Sequence, residues 1–424
     1  MIIKFLKASI IVALFALVAA CATTESGQSC PAGTQKLPDC PPLEAVEDPL
    51  ITALYWQRSW QPEDVHRMDM VKVGLDADIP PQNAEAKFLG SSSADAVNSL
   101  AAKIWMIENA QHTIDVTYYI FKRDLVGEAM LGALCNAVQR GVDVRLMVDS
   151  VGSIDSSHSG LKALETCADN AGFIRNKKGD LTNKKARVQV VVFKAISNVF
   201  VKLNRRSHDK LMVMDGKFPE RALVMTGGRN VSLSYYGITA DGSPNPDTYM
   251  DAEIILRAAR TQQVDDYPVG SLSENYYSML FLFEDNKRLS PSDTAEALGI
   301  YTSEREKAQA GLAQLKAIPV VKEKMDVMER YLEQGWHTSR VLLGHELDNL
   351  TNENLFTDAA EDLNKNRNSI LYLLSKVRAD EYQQRRIVSP YLFAAQYYDD
   401  DGNIIFDGAK NALLIQRACM STGS

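Results

Sequence analysis

The sequence predicts an α/β fold in which helices cover a sheet containing a parallel strand pair. Three observations carry this. Thr113 to Phe121 and Val142 to Val148 are short apolar runs, the second closing on Asp149. Between them, Val126 to Arg140 places apolar residues at helical spacing, so the three segments read as a β-α-β unit. Such a crossover makes its strands parallel and needs cover on both faces, and sites in such sheets sit at the strand ends.

The other elements follow around that unit. Ala94 to Ala110 has helical spacing ahead of the first strand. Val188 to Phe193 reads as a third strand, Lys210 to Met214 as a fourth and Ala222 to Thr226 as a fifth, with Asp215-Gly216 as turn chemistry between the last two. Residues 290–370 are polar, helix-patterned and rich in Glu, Lys, Gln, Ala and Leu, interrupted at Gly335 and Gly344, and read as a helical insertion with solvated charged faces.

The N-terminus carries an address. Lys4 and Lys7 precede an apolar run from Ile10 to Ala20, too short to span a bilayer but the right length for the core of a signal peptide. Leu17-Val18-Ala19-Ala20-Cys21 resembles the lipobox of bacterial lipoproteins, which implies acylation at Cys21; the alternative is an ordinary signal peptide with a cysteine nearby. Ala22, where an inner-membrane lipoprotein tends to have Asp, points to the outer membrane, facing the periplasm. Residues 1–20 are thus expected to be a leader, and 21–85 a tether and loosely ordered lead-in.

The 424 residues are 46% hydrophobic, enough to bury a core in two or three units, which excludes disorder as the main state. The net charge of -8 argues against coating nucleic acid through bulk charge. Without Lys4 and Lys7 the mature chain has 44 basic against 54 acidic side chains, a charge of -10. Export permits disulfides: Cys30 and Cys40 suit a small staple, while Cys135, in an apolar helical pattern, reads as a buried thiol. There is no C-x-x-C and no Walker or G-x-S-x-G motif, and Asn349 stands where His345-Glu346 would need a second zinc histidine. No metal or cofactor is implied, and His66, His112, His158, His337 and His345 read as structural or surface residues.

The chemistry lies in Ser207-His208-Asp209-Lys210, then Asp215, then Gly227-Gly228-Arg229-Asn230. Residues two apart on a strand share a face, so His208 and Lys210 can point at one bound group. An imidazole beside an ammonium suits phosphate, because lysine holds non-bridging oxygens while histidine attacks phosphorus or moves a proton. Asp215 is expected to reach back and orient a ring, Gly227 and Gly228 to let backbone approach a substrate, and Asn230 to donate a hydrogen bond. From Arg175 to Lys210 there are eleven Lys/Arg and two Asp, a local +9 that is read as an anion-focusing surface, the alternative being a solvated loop.

H-x-K-x-x-x-x-D followed by G-G-x-N, behind a β-α-β unit, resembles the HKD motif of the phospholipase D superfamily. Thr113 to Val151 is similar to the first lobe of its bacterial cardiolipin synthase-like members. The resemblance covers Ala86 to Leu256 and returns weakly after Leu371. It implies a phospholipase D-like mixed sheet flanked by helices, with a first lobe over 86–289. It also implies a metal-independent phosphodiesterase or phosphatidyltransferase that passes through a phosphohistidine, with His208, Lys210, Asp215 and Asn230 as the site. Two features depart from the family: eleven residues separate Asp215 from Gly227, and Val231-Ser232-Leu233 replaces an acid-bearing run.

The family's chemistry needs two histidines, and His208 lies in the only H-x-K of the chain. Residues 371–424 read as a partial second lobe. Ile370 to Val377 is helix-like, Arg386 to Phe393 answers to Thr113 to Phe121, and Ala409 to Ala418 answers to the helix Val126 to Arg140. The expectation is a truncated two-motif enzyme; the alternative is a homodimer supplying the second histidine in trans. The substrate expected is a phospholipid, with a nuclease, another phosphodiesterase or an inactive envelope protein as alternatives and nucleic acid disfavoured as a partner.

Overall fold

A computed structural model describes residues 41–42, 44–60, 81–153, 158–193, 206–260, 267–283, 286–341, 343, 396–398 and 404–407. It begins with α1 (Pro49–Gln57), started by a proline in its first turn and by the Asp48 carboxylate, which accepts from Ile51 N. Then come β1 (Gln82–Leu89), α2 (Ser93–Asn109), β2 (Thr113–Tyr118), α3 (Leu125–Gln139), β3 (Asp143–Asp149) and α4 (His158–Thr166). The hairpin β4 (Phe173–Arg175) and β5 (Leu181–Lys185) leads into β6 (Val188–Phe193), β7 (Lys210–Met214), β8 (Leu223–Gly227) and β9 (Glu253–Ala258). After these come α5 (Val269–Phe281), β10 (Lys287–Arg288), α6 (Asp293–Ala297), α7 (Ile300–Ala317), α8 (Pro319–Asp326), α9 (Met328–Glu333) and β11 (His337–Val341). A separate antiparallel pair, β12 (Gln396–Tyr398) and β13 (Ile404–Asp407), lies farther along the chain.

Among the described residues, nine strands form one mixed sheet in the order β10-β6-β3-β2-β7-β8-β9-β1-β11. β2, β3 and β6 are parallel, as the crossover through α3 requires, and β7 runs antiparallel to β2. Side-chain alternation sorts the two faces. Ile114, Val116, Val144, Leu146, Met212 and Met214 enter the larger core with α2, α3 and α7, whereas Met147, Leu211, Val213 and Val224 pack with Tyr277 and Phe281 of α5.

Three expectations need correction. The lead-in is not loose throughout: α1 docks Ile51 and Leu54 into the core, and Arg58, 1% exposed, is buried next to it. The segment read as a helical insertion is helical from Asp293 to Glu333 but its faces are not all solvated and it also carries a strand. Its polar faces conceal a buried stripe of Tyr301, Ala308, Leu312 and Leu315 in α7, and β11 pairs with β1 at the edge of the main sheet. Lastly, Cys135 is not a free thiol but is bonded to Cys167. The helical pattern correctly buried Cys135, but its partner comes from another element 32 residues on, which no spacing rule encodes. Cys21, Cys30, Cys40, the leader and the proposed strand and helix at 386–393 and 409–418 lie outside the described residues. Among the described residues, no helix is long and apolar enough to cross a membrane.

Candidate active site

β7 and β2 are antiparallel with Tyr118 opposite Lys210, so the start of β7 lies at the C-terminal end of the parallel strands. This is where an α/β sheet offers a crevice. His208, two residues earlier, is brought onto Lys210: the Lys210 Nζ lies 3.4 Å from Nδ1 and 3.5 Å from Nε2, and donates to the His208 carbonyl at 2.9 Å. Tyr119 backs the pair. Its ring centroid is 4.6 Å from that of His208 and 5.8 Å from the Lys210 Nζ. The Tyr119 N–H donates to the Asp209 carbonyl at 3.2 Å, fixing the ring's origin.

Asn230 is buried next to this pair's strand end. Its Oδ1 accepts from Ile120 N at 3.0 Å, and its Nδ2 donates to the Tyr235 hydroxyl at 2.8 Å. The amide therefore holds the end of β2, with a second Nδ2 proton beyond the one given to Tyr235. Asp124, the cap of α3, accepts from Leu233 N at 2.7 Å and ties the following turn to the crossover helix. Gly227 and Gly228 are required for a different reason from the one expected. A Cβ on Gly227 would overlap the backbone of β9, and one on Gly228 would overlap the Asp251 carboxylate. The glycines let protein, rather than substrate, come close.

Asp215 is not brought to the site. The whole of β7 separates it from Lys210, roughly 16 Å at ~3.3 Å per residue. There, buried and with φ at 49°, it accepts from the backbone N–H of His112 at 2.8 Å, Thr113 at 3.0 Å and Gln111 at 3.1 Å, and pairs with Arg221. It clamps the start of β2 to the β7–β8 turn and cannot orient the His208 ring. Asp215→Asn is expected to lower stability by about 1–3 kcal/mol, the cost of weakened buried acceptors. Turnover per folded molecule should stay unchanged, as urea unfolding and active-fraction kinetics on one preparation will show.

The basic run also divides. Arg175 to Arg187 lies at that same far end: His112 Nδ1 contacts the Arg175 carbonyl at 2.8 Å, and Val144 N donates to the Arg187 carbonyl at 2.8 Å. Arg187 is paired with Asp143, and Arg206 with Asp149. The β4–β5 hairpin is the solvated-loop alternative, and of the described members of the run only Arg206 and Lys210 stand at the site end.

Residues the sequence reading passed over form the floor. Lys103 is buried in α2 and pairs with Glu253 of β9 at 2.6 Å, next to Ser99, which donates to the same carboxylate. Arg229 completes the group, 3.5 Å from Glu253 and bonded to the Gly90 carbonyl. The available signal was a serine and a lysine four apart on the apolar stripe of α2. Burial lowers the Lys103 pKa and Glu253 partly restores it.

Burial and the adjacent Lys210 push His208 down to about 4, even though part of the ring faces solvent. Burial brings Lys210 down to about 8, opposed by Asp209, Asp251 and Glu253. At neutral pH the pair is therefore a neutral imidazole with a free lone pair next to an ammonium. The rate constant kcat/KM on a soluble phosphodiester should rise through about pH 4, as His208 loses its proton, and fall through about pH 8, as Lys210 loses its own. Lys210→Arg should move the alkaline limb upward; an unmoved limb would assign it elsewhere.

Residues 104–241 match the family model described as Cardiolipin synthase, PLD-like domain. Cardiolipin synthase C of Escherichia coli (strain K12) is 30% identical over 152 residues, 34% of this chain and 27% of that protein. The probable cardiolipin synthase YwiE of Bacillus subtilis (strain 168) is 28% identical over 131 residues, 30% of this chain and 21% of that one. The matches thus span about a quarter of those relatives' own length. Among solved structures, Nuc of Salmonella typhimurium, a phospholipase D family member, is similar at 14% identity and a TM-score of 0.29, over 49% of this chain and 99% of that one. With the histidine-lysine pair at the strand ends and the family match laid over it, residues 104–241 form a phospholipase D-like domain similar to that of cardiolipin synthases.

Proposed function

We propose that this chain is a phospholipid phosphodiesterase or phosphatidyltransferase in which His208 attacks phosphorus. The observation that carries the reading is the neutral imidazole held 3.4 Å from the Lys210 Nζ, nucleophile and phosphate clamp side by side. A ring nitrogen adds to phosphorus, the P–O bond to the departing alcohol breaks, and the leaving oxygen takes a proton from a second acid. Water or an acceptor alcohol then gives its proton back to that second group and adds to phosphorus, the P–N bond breaks and the imidazole is restored. Which of the two acts decides hydrolysis or transfer. The second acid is a histidine from another copy of the chain or from a second motif in a longer chain. Acylation at Cys21 would hold the protein in the envelope, facing the periplasm, where phospholipid is abundant.

The test is turnover by the full chain of phosphatidylglycerol vesicles, phosphatidylcholine vesicles and DNA, each with EDTA present, with sedimentation run on the same samples. Phospholipid turnover by a dimer supports the reading with the acid in trans. Turnover of DNA alone assigns a nuclease, and loss of all turnover on chelation sinks the metal-independent route.

A further inference from the structure

His208 lies ahead of β7, so the ladder that fixes Lys210 does not by itself fix the imidazole. Its chain is anchored two residues earlier, by Arg206. The Arg206 Nε donates to the Asp149 carboxylate at 2.9 Å, and its Nη2 donates to Ser150 Oγ and to the Phe193 carbonyl, the latter at 3.0 Å. Asp149 ends β3 and Phe193 ends β6. In the order β6-β3-β2-β7, β3 stands two strands from β7, roughly 10 Å at ~4.8 Å per strand, so the guanidinium reaches past the end of β2. A planar fork can serve a carboxylate, a hydroxyl and a carbonyl in one geometry, whereas an ammonium on a flexible stem cannot. The turn that receives Arg206 also carries Tyr119. Asp149 Oδ1 accepts from Val151 N at 2.8 Å and Gly152 N at 3.0 Å, and Ser153 Oγ donates to the Tyr119 carbonyl at 3.0 Å. The ring that backs His208 and the arginine that anchors its chain thus rest on one support.

We propose that Arg206 is a positioning residue for His208: locked on Asp149, Ser150 and the end of β6, it sets where the imidazole stands against Tyr119 and Lys210, and it does not itself hold phosphate. The proposal rests on the reading of His208 as the nucleophile. Attack on phosphorus needs the ring nitrogen aligned with the bond that breaks, and a displacement of about 1 Å can cost about 10²-fold in rate. The basic run leading into the motif invites the other reading, that this arginine meets the substrate. Its side chain is only 9% exposed, and its bonds commit it to the strand ends. The groups that face the imidazole are Lys210 and Tyr119, and Arg206 acts on it through the backbone between them.

The experiment compares the full chain with Arg206→Lys, which keeps the stem and the charge but not the fork, and with Arg206→Ala. Turnover of soluble bis(p-nitrophenyl) phosphate is resolved into kcat and KM, urea unfolding is run on the same samples, and the His208 ring is titrated by NMR, its signal assigned by its loss in His208→Ala. Both variants should lower kcat about 10²-fold while KM stays within about twofold. The His208 ring should titrate at about 4 in the parent and move up toward its ordinary value of 6.5 in both variants, as the ring swings away from Lys210 into water. Full kcat in Arg206→Lys overturns the proposal, because charge alone would then suffice. A raised KM with kcat retained overturns it in favour of a phosphate contact. Lower stability with kcat per folded molecule unchanged assigns the arginine to the fold alone, and a ring still titrating near 4 in a folded Arg206→Lys shows that nothing was displaced. If the parent does not turn over the diester, the nucleophile reading fails instead, and the titration still decides the positioning.

Discussion

His208→Ala is expected to reduce turnover by roughly 10⁴-fold or more, because removing the nucleophile of a covalent route leaves only binding and electrostatic assistance. The fold should hardly notice. Part of the ring faces solvent, and substitutions at largely exposed positions usually change stability by no more than about 0.5 kcal/mol. Lys210→Ala should cost about 10²- to 10³-fold, the loss typical of one electrostatic group facing developing charge. Chemical denaturation run with the kinetics separates lost chemistry from lost structure, and a folded His208→Ala variant of normal rate would remove the histidine from its role.

Arg58→Ala carries the largest expected stability loss, about 3–5 kcal/mol, as for breaking any buried ion pair by removing one partner. Arg58 donates to Asp115 at 2.9 Å, Asp143 at 2.9 Å and Glu274 at 3.2 Å. Asp115 keeps Arg145 and Asp143 keeps Arg187 in the variant. Glu274 fares worst, since its pKa is already raised by burial and Arg58 is the largest influence lowering it. A carboxyl whose folded pKa is raised binds protons more readily in the folded chain, so its burden grows as pH rises through the unfolded value and is relieved as pH falls. The stability deficit of Arg58→Ala should therefore be larger at pH 7 than at pH 5 in urea unfolding. A deficit independent of pH would mean that lost packing, not the stranded carboxylate, is the cause.

What the sequence disclosed was periodic. Short apolar runs located β3, β6, β7 and β8 within one residue and β2 within three, and two-residue spacing placed His208 and Lys210 on one face. What it hid depends on partners far apart in the chain. Glu253 meets Lys103 across 150 residues and Glu274 meets Arg58 across 216, so neither pair leaves a local trace. Asp215 misled for a related reason. Its position in the motif is fixed by the clamp it makes on Gln111, His112 and Thr113 at the far end of the strand, and sequence proximity to His208 says nothing about distance once five extended residues intervene. The run from Arg175 to Lys210 is continuous in sequence but traverses the full length of β6, so most of its described charge is carried away from the site.

Trapping the intermediate is the most direct measurement. The chain is mixed with a phospholipid labelled at phosphorus, quenched during turnover in base, digested and mapped. The expected result is label on the peptide containing His208, stable to base and lost in acid as a phosphoramidate is, and absent from His208→Ala. Label on another residue, or steady turnover with no labelled peptide and no dependence on His208, would contradict nucleophilic attack by this histidine.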